Sequence, residues 1–176
     1  MKSGKDFEDR IAKRLKRAGC FVQKLYDAPA AFGPDREVLP GARTAFTPKN
    51  PYDFIVTLDA GEECRGGVRL PTYFNYALEC KTTKGKRFDV NSVKPHQLKG
   101  LLAFPGVSGV VVELREVTRC FFVRPRLIRN WERLNEKKSM NLADLEANAV
   151  ELPHNTSSRE TRNYYDVSPI LKGGQK

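Results

Sequence analysis

The first segment of the chain alternates apolar and charged residues with the period of an α-helix. Phe7, Ile11 and Leu15 recur every four residues and so share one face, and Gly19 supplies a stop. This pattern predicts an amphipathic helix over residues 4–18. The outer face of that helix is strongly basic, with Lys13, Arg14, Lys16 and Arg17.

Short apolar runs bounded by turn-forming residues predict five strands. They cover residues 20–26, 52–58, 72–82, 109–114 and 119–123. A Gly-rich charged turn at 59–67 joins the second and third strands into a hairpin. Helical spacing predicts a helix from Asn91 or Ser92 to Phe104, one at 125–135 and a shorter one opened by Asn141. The order of elements indicates an α/β fold with a mixed β-sheet flanked by helices.

Two stretches lack this periodicity. Residues 27–51 are rich in proline, and a long irregular stretch inside a compact domain is often functional, so we expect a protruding arm or binding loop there. The tail after Pro153 is polar and basic. We therefore predict one domain over residues 1–152, followed by a C-terminal extension at 153–176.

Charge and composition narrow the class of protein. Thirty-one Lys and Arg against 21 Asp and Glu give a formal net charge of +10, which favours polyanionic partners such as nucleic acid. We expect a cytoplasmic protein, because the chain shows no apolar run of membrane-spanning length and no signal peptide. Its four cysteines are widely spaced, which argues against a zinc site and a disulfide framework.

A candidate catalytic centre lies on the predicted hairpin. Glu79 and Lys81 are two residues apart on one strand, so their side chains point to the same face, and the hairpin brings Asp53 beside Glu79. Carboxylates can hold Mg²⁺, which neutralises a phosphate and activates water for phosphodiester cleavage. Glu8, at the edge of the buried face of the first helix, is a third candidate carboxylate. The pattern predicts a metal-dependent nuclease.

Each of these residues also has a structural interpretation. Lys81 can form a salt bridge to Glu79 or Asp53 at a strand edge. Glu8 can favour the helix dipole as an acidic residue near the N-terminus, and Gln97 can be a polar residue beside a capped helix start. The aromatic residues of the later elements are assigned to core or dimer packing; they are Phe121, Phe122 and Trp131.

The order of these residues resembles the PD-(D/E)XK nuclease superfamily. The matching positions are Gly4, Phe7 and Glu8, then Asp53, then Glu79-Cys80-Lys81, then His96-Gln97. Within the superfamily, three stretches look most like RecU-type Holliday junction resolvases. They are residues 77–83, residues 88–93 and the run His96-Gln97-Leu98.

The resemblance implies a restriction-endonuclease-like fold and a role for each residue. Asp53, Glu79, Glu8 and the backbone carbonyl of Cys80 would bind Mg²⁺, with Mn²⁺ as a substitute. Lys81 would assist the attacking water, and Gln97 would complete the site. The DNA contacts are expected from basic residues that follow the catalytic strand, namely Lys84, Lys86, Arg87, Lys94 and Lys99.

The resemblance also implies the biological reaction. RecU-type enzymes are homodimers that nick two symmetric strands of a four-way junction and leave 5′-phosphate and 3′-hydroxyl ends. The leading hypothesis is therefore an Mg²⁺-dependent, structure-selective endodeoxyribonuclease acting on branched DNA in recombination and repair. The alternatives are a related nuclease for ordinary duplex DNA and a non-catalytic branched-DNA-binding protein. The tail from residue 153 does not resemble the family, and we expect it to contact DNA or to lock a dimer.

Overall fold

The computed structural model describes residues 4–25, 49–65, 68–155 and 164–173. Five helices occur in these ranges: α1 Gly4–Arg17, α2 Pro95–Ala103, α3 Pro125–Asn135, α4 Leu142–Asn148 and α5 Ser168–Gly173. The longer strands are β1 Phe21–Lys24, β2 Phe54–Arg65, β3 Val68–Thr83, β5 Val107–Leu114, β6 Arg119–Val123 and β8 Val150–Leu152. Four two-residue strands complete the set: β4 Phe88–Asp89, β7 Ser139–Met140, β9 His154–Asn155 and β10 Tyr164–Tyr165.

The six longer strands form one mixed sheet in the order β1-β2-β3-β5-β6-β8. Only β3 and β5 run parallel within it; the remaining neighbours are antiparallel. Helix α2 makes the crossover between β3 and β5, as a parallel connection requires. The expected mixed sheet flanked by helices is confirmed, and it is consistent with a restriction-endonuclease-like fold.

Each face of the sheet covers its own apolar cluster. The α1 side contains Phe54, Tyr76 and Leu78, whereas Ala77 and Val110 belong to the opposite cluster with α2 and α3. This alternation along β3 is the one predicted from period-2 spacing. The three aromatic residues assigned to core or dimer packing are core residues, each at most 3% exposed: Phe121, Phe122 and Trp131.

The hairpin between β2 and β3 is longer than predicted. The expected turn at 59–67 is wrong for most of its length, because β2 runs to Arg65 and β3 resumes at Val68, with a bulge between Asp59 and Glu62. Gly61, at φ +87°, supplies the left-handed residue there. Beyond residue 58 the two strands pair only with each other. Most of the described side chains of this part are exposed, among them Asp59, Glu62 and Tyr73.

Helix α2 begins later than predicted. A single 3₁₀ turn at Val90–Ser92 ends before Lys94, whose ψ of 152° is extended, and the α-helix starts at Pro95. The ring of a proline excludes the α-conformation at the preceding residue, which fixes this boundary. Asp89 accepts a hydrogen bond from the Asn91 N–H and so caps the short turn.

The tail contributes to the core. Tyr165, Val167, Ile170 and Leu171 are buried in the cluster on the α1 side, and the Tyr76 hydroxyl donates to the Leu171 carbonyl at 2.9 Å. Residues 164–173 of the predicted extension therefore pack against the domain. Most of the expected arm, residues 27–48, lies outside the described residues.

A buried ionic cluster ties the tail to the first helix. Glu113, 5% exposed near the end of β5, receives a hydrogen bond from Arg10 at 2.6 Å and one from the Tyr165 hydroxyl at 3.2 Å. Arg10 also lies 5.4 Å from the Phe7 ring centroid. Burial and the Glu113 charge raise the pKa of Tyr165 well above its usual value, so Tyr165 stays protonated as the donor.

Two findings bear on the class of protein. No helix in the described ranges is long and apolar enough to cross a membrane. Cys20, Cys80 and Cys120 are buried free thiols, and burial raises the pKa of each. They are therefore protonated, unreactive core residues.

Candidate active site

Asp53, immediately before β2, is held in place by hydrogen bonds to β3 and to the residue that follows β1. Its N–H donates to the Leu78 carbonyl at 3.0 Å, and its carbonyl accepts from the Leu25 N–H at 2.8 Å. These bonds extend the β1-β2-β3 ladder by one residue past Phe54. The carboxylate turns toward β3, where Oδ2 accepts the Cys80 N–H at 2.7 Å. Asp53 is thereby fixed next to Glu79, as the hairpin predicted.

Glu79 is the most buried member of the site, at 2% exposed. Its Oε1 accepts hydrogen bonds from the Lys81 ammonium and the Gln97 amide, each at 2.6 Å. Lys81 in turn donates to the Gln97 carbonyl oxygen at 3.2 Å, which closes a three-membered network. The other carboxylate oxygen, Oε2, is buried and has no hydrogen-bond partner. An uncompensated buried carboxylate oxygen is costly unless a cation or donor reaches it.

Gln97 is oriented by its place in the first turn of α2. Its Oε1 accepts the N–H of Lys94 at 3.0 Å, which satisfies one of the free donors at the helix start. The same amide reaches Glu79 through Nε2. One side chain therefore caps the helix start and also contacts the Glu79 carboxylate, and the part of Gln97 in catalysis stays a prediction.

Both carboxyl groups of the site are easier to protonate than usual. Burial, followed by the charge of Asp53, raises the pKa of Glu79 to about 7, against the effect of Lys81 and Gln97. Burial also raises the pKa of Asp53 to about 6, although the hydrogen bond from Cys80 acts to lower it. Two neighbouring buried carboxyl groups with raised pKa values are an environment that a bound cation would stabilise in the ionised form.

The donor set fits a magnesium ion held together with a substrate. The N–H and C=O of one strand residue point to the same edge, so the Cys80 carbonyl faces the edge where Asp53 lies. Asp53, the free Glu79 oxygen and this carbonyl are hard oxygen donors. Among the described residues no three His, Cys, Asp or Glu side chains lie together as a metal cage. Mg²⁺ commonly uses one or two carboxylates, water and substrate phosphate, so this set is sufficient.

Glu8 is placed differently from the other two acids. Its Oε2 lies 2.9 Å from the Lys24 Nζ, and Asp9 lies 3.1 Å from the same nitrogen. The charge of Glu8 nevertheless acts to raise the pKa of Asp53, so the two carboxylates are within electrostatic reach. The structure thus places Glu8 at the rim of the site in an ion pair, and its role as a metal ligand stays a prediction.

Lys24 is the site residue that the sequence reasoning missed. Burial acts to lower its pKa, but hydrogen bonds to Glu8 and Asp9 outweigh this and raise it to about 12. It is the last residue of β1 and pairs in register with Phe54, the residue after Asp53. The feature that could have identified Lys24 is the antiparallel pairing of β1 with β2, which places the end of β1 beside the start of β2.

The five residues predicted to contact DNA are all exposed. Lys84, Lys86 and Arg87 occupy the loop that follows β3, and Lys94 and Lys99 lie on or beside α2. Lys86 forms a surface ion pair with Glu116 at 3.2 Å, with both side chains at least half exposed. Such a pair is weak, so it leaves Lys86 able to exchange its partner for a phosphate.

Comparison with known families identifies a relationship that covers more than half of the chain. The model of the RecU family, described as recombination protein U, matches residues 67–166. This segment contains Glu79, Lys81 and Gln97, whereas Asp53 and Glu8 precede it. No curated protein sequence matches the chain. The family match and the mixed sheet that carries Glu79 agree, and the chain belongs to the RecU family.

Proposed function

We propose that this protein is a divalent-metal-dependent endodeoxyribonuclease that resolves four-way DNA junctions by nicking two symmetric strands. Membership of the RecU family implies a recombination-related Holliday junction resolvase. The observation that carries the metal-dependent reaction is the buried, unpartnered Oε2 of Glu79 beside the Asp53 carboxylate. Buried carboxylate oxygens usually have a hydrogen-bond partner, so the unpartnered Oε2 supports a cation at this position.

The proposed metal site consists of Asp53, Glu79 and the Cys80 carbonyl. When bound there, Mg²⁺ supplies charge neutralisation at the scissile phosphate and a more acidic water. Asp53 is already oriented by the Cys80 N–H at 2.7 Å, so its carboxylate needs no reorganisation to bind. Glu79 is fixed from the other side by Lys81 and Gln97. The carboxylates are thus preorganised, which lowers the cost of assembling the site.

Lys81 is placed to act on the attacking water or on the phosphate. Its ammonium lies 2.6 Å from Glu79, and its side chain is 23% exposed, so it faces both the site and incoming substrate. In hydrolysis, a water oxygen forms a bond to phosphorus while the P–O3′ bond breaks. The attacking water loses a proton and the leaving O3′ gains one, giving 5′-phosphate and 3′-hydroxyl ends. Lys81 would orient the nucleophile and stabilise the charge that develops on the phosphate.

The proposal is tested first by substrate choice. We expect cleavage of a four-way junction in Mg²⁺ or Mn²⁺, with little cleavage of a linear duplex that has the sequence of one arm. Equal cutting of both substrates would instead identify a nuclease for ordinary duplex DNA. Junction binding with no cleavage in either metal would identify a binding protein.

The roles of the residues are tested with matched variants. Glu79→Gln keeps the shape of the side chain and removes the charge, and we expect cleavage to fall by about a hundredfold or more while junction binding persists. Lys81→Gln is expected to lose cleavage similarly, and Lys81→Arg to recover part of it. Glu132→Gln, an exposed carboxylate on α3, is the control and should cleave like the wild type.

Symmetric nicking requires two sites on one junction, and we propose a homodimer to supply them. Sedimentation or light scattering is expected to give twice the 19.9 kDa chain mass. A junction labelled with a different dye on each of two opposing strands should show both nicks at related positions. A monomer that nicks one strand only would contradict this part of the proposal.

A further inference from the structure

A second basic surface lies on the opposite side of the sheet from α2 and its lysines. Helix α1 and strand β1 enclose an open groove of about 500 Å³ between them. Its charged lining residues are Asp9, Lys13, Lys16, Arg17 and Lys24. We call this surface the α1–β1 groove. None of the residues that the sequence analysis assigned to DNA contact lies in it.

The cations of the groove differ in whether a carboxylate forms an ion pair with them. Lys24 is paired with Glu8 and Asp9, so Asp9, the one acid among the described lining residues, is engaged in an ion pair. Lys13, Lys16 and Arg17 are exposed, and no carboxylate of the described residues lies within ion-pair distance of them. Three uncompensated positive charges on one helix face repel one another, and a polyanion relieves that repulsion.

The groove leads to the active site. Lys24 lines the groove and also contacts Glu8, and the charge of Glu8 acts to raise the pKa of Asp53. From Lys13 to Arg17 the helix rises about 6 Å, at about 1.5 Å per residue. One strand of duplex DNA presents a phosphate about every 3.4 Å along the axis, so this length matches roughly two to three successive phosphates.

We propose that the α1–β1 groove binds the phosphate backbone of a DNA arm leading from the scissile phosphate. Successive phosphates of the arm contact Lys13, Lys16 and Arg17. Lys24 lies where this row of phosphates reaches the rim of the active site. The inference rests on the proposed function, which supplies the DNA substrate. It adds a contact surface on the α1 layer to the surface formed by the loop after β3 and by α2.

An alternative explanation of these residues is local. Cations in the last turn of a helix favour its dipole, and Lys16 and Arg17 occupy the last turn of α1. That role does not include Lys13, and it predicts a change in stability with no change in DNA binding. The two explanations are therefore separable by measuring both properties.

The test is the salt dependence of binding. A Lys13→Ala/Lys16→Ala/Arg17→Ala variant is compared with Arg129→Ala/Arg133→Ala/Lys137→Ala, which removes the same charge from exposed positions on and after α3. Binding of a fluorescent four-way junction is followed by anisotropy in EDTA at several KCl concentrations. Because no metal is present, the result does not depend on whether the protein cleaves DNA.

The groove variant is expected to flatten the slope of log K against log[KCl] by about 2 to 3, since each lost phosphate contact removes about 0.9. The α3 variant should change the slope by less than one. Equal slopes for the two variants would overturn the inference, as would an unchanged slope with a lowered melting temperature. A normal groove effect in a protein that never cleaves would leave this inference standing and remove the proposed nuclease function.

Discussion

The buried carboxylate of Glu79 should make the metal-free protein less stable than an amide variant. Glu79 is 2% exposed and its pKa is about 7, against 4.5 for an ordinary glutamate. A carboxyl group whose pKa is higher in the folded state destabilises that state once the unfolded chain is ionised. The cost therefore begins as the pH rises above 4.5 and is complete above about 7.

The free-energy cost of ionised Glu79 in the folded protein follows from its raised pKa. One pKa unit corresponds to about 1.4 kcal/mol, so the raised pKa of Glu79 sets a cost on the order of 1–3 kcal/mol at pH 8. Glu79→Gln removes the charge and can keep the bonds to Lys81 and Gln97. For a domain of this size each kcal/mol shifts the melting temperature by about 2–4 °C. We expect the variant to melt about 3–10 °C higher than wild type at pH 8.

Thermal melting in EDTA between pH 4.5 and pH 8 measures this effect, with Glu132→Gln as the exposed control. The difference between Glu79→Gln and wild type should shrink toward zero at the acid end, while Glu132→Gln should match wild type throughout. If Glu79→Gln and wild type had the same melting temperature at pH 8, the Lys81 ammonium would already offset the cost of the buried carboxylate. The electrostatic argument for a cation site at Glu79 would then be refuted.

Three further outcomes are expected. Mg²⁺ at a hundred times its dissociation constant should stabilise the wild type by about 2.7 kcal/mol in thermal melts and leave Glu79→Gln unchanged; equal stabilisation of both would contradict the site. Arg10→Met should cost about 3 kcal/mol in urea unfolding, because it leaves the buried Glu113 without its cation. Gly109→Ala should cost about 1–3 kcal/mol, since the added Cβ would overlap the Phe122 ring, whereas Gly85→Ala meets nothing within 4 Å and should be neutral.

The parts of the fold that the sequence predicted are those governed by local periodicity. Helix α1, with Phe7, Ile11 and Leu15 buried, follows from spacing alone. The faces of β3 follow from alternation, and a hairpin then brings Asp53 and Glu79 together. The central acids and Lys81 could therefore be predicted from one strand and its neighbour.

The parts that the sequence did not predict depend on contacts between distant segments. Helix α5 is only six residues long and lies in a polar tail, and its burial comes from packing on the α1 layer, including the bond from Tyr76 to Leu171. A short helix is marginal without such tertiary contacts, so its sequence carries little signal. The ion pair between Lys24 and Glu8 likewise needs the register of β1 on β2 before it can be seen.

The charges around the site support the proposed binding of a divalent cation. Three carboxylates lie within electrostatic reach there, from Glu8, Asp53 and Glu79, and two ammonium groups oppose them, from Lys24 and Lys81. With all three acids ionised, three negative and two positive charges leave a formal charge of −1. A cation bound at Asp53 and Glu79 would relieve this excess negative charge. The lysines are bound at the acids' oxygens, but Oε2 of Glu79 is left for another partner.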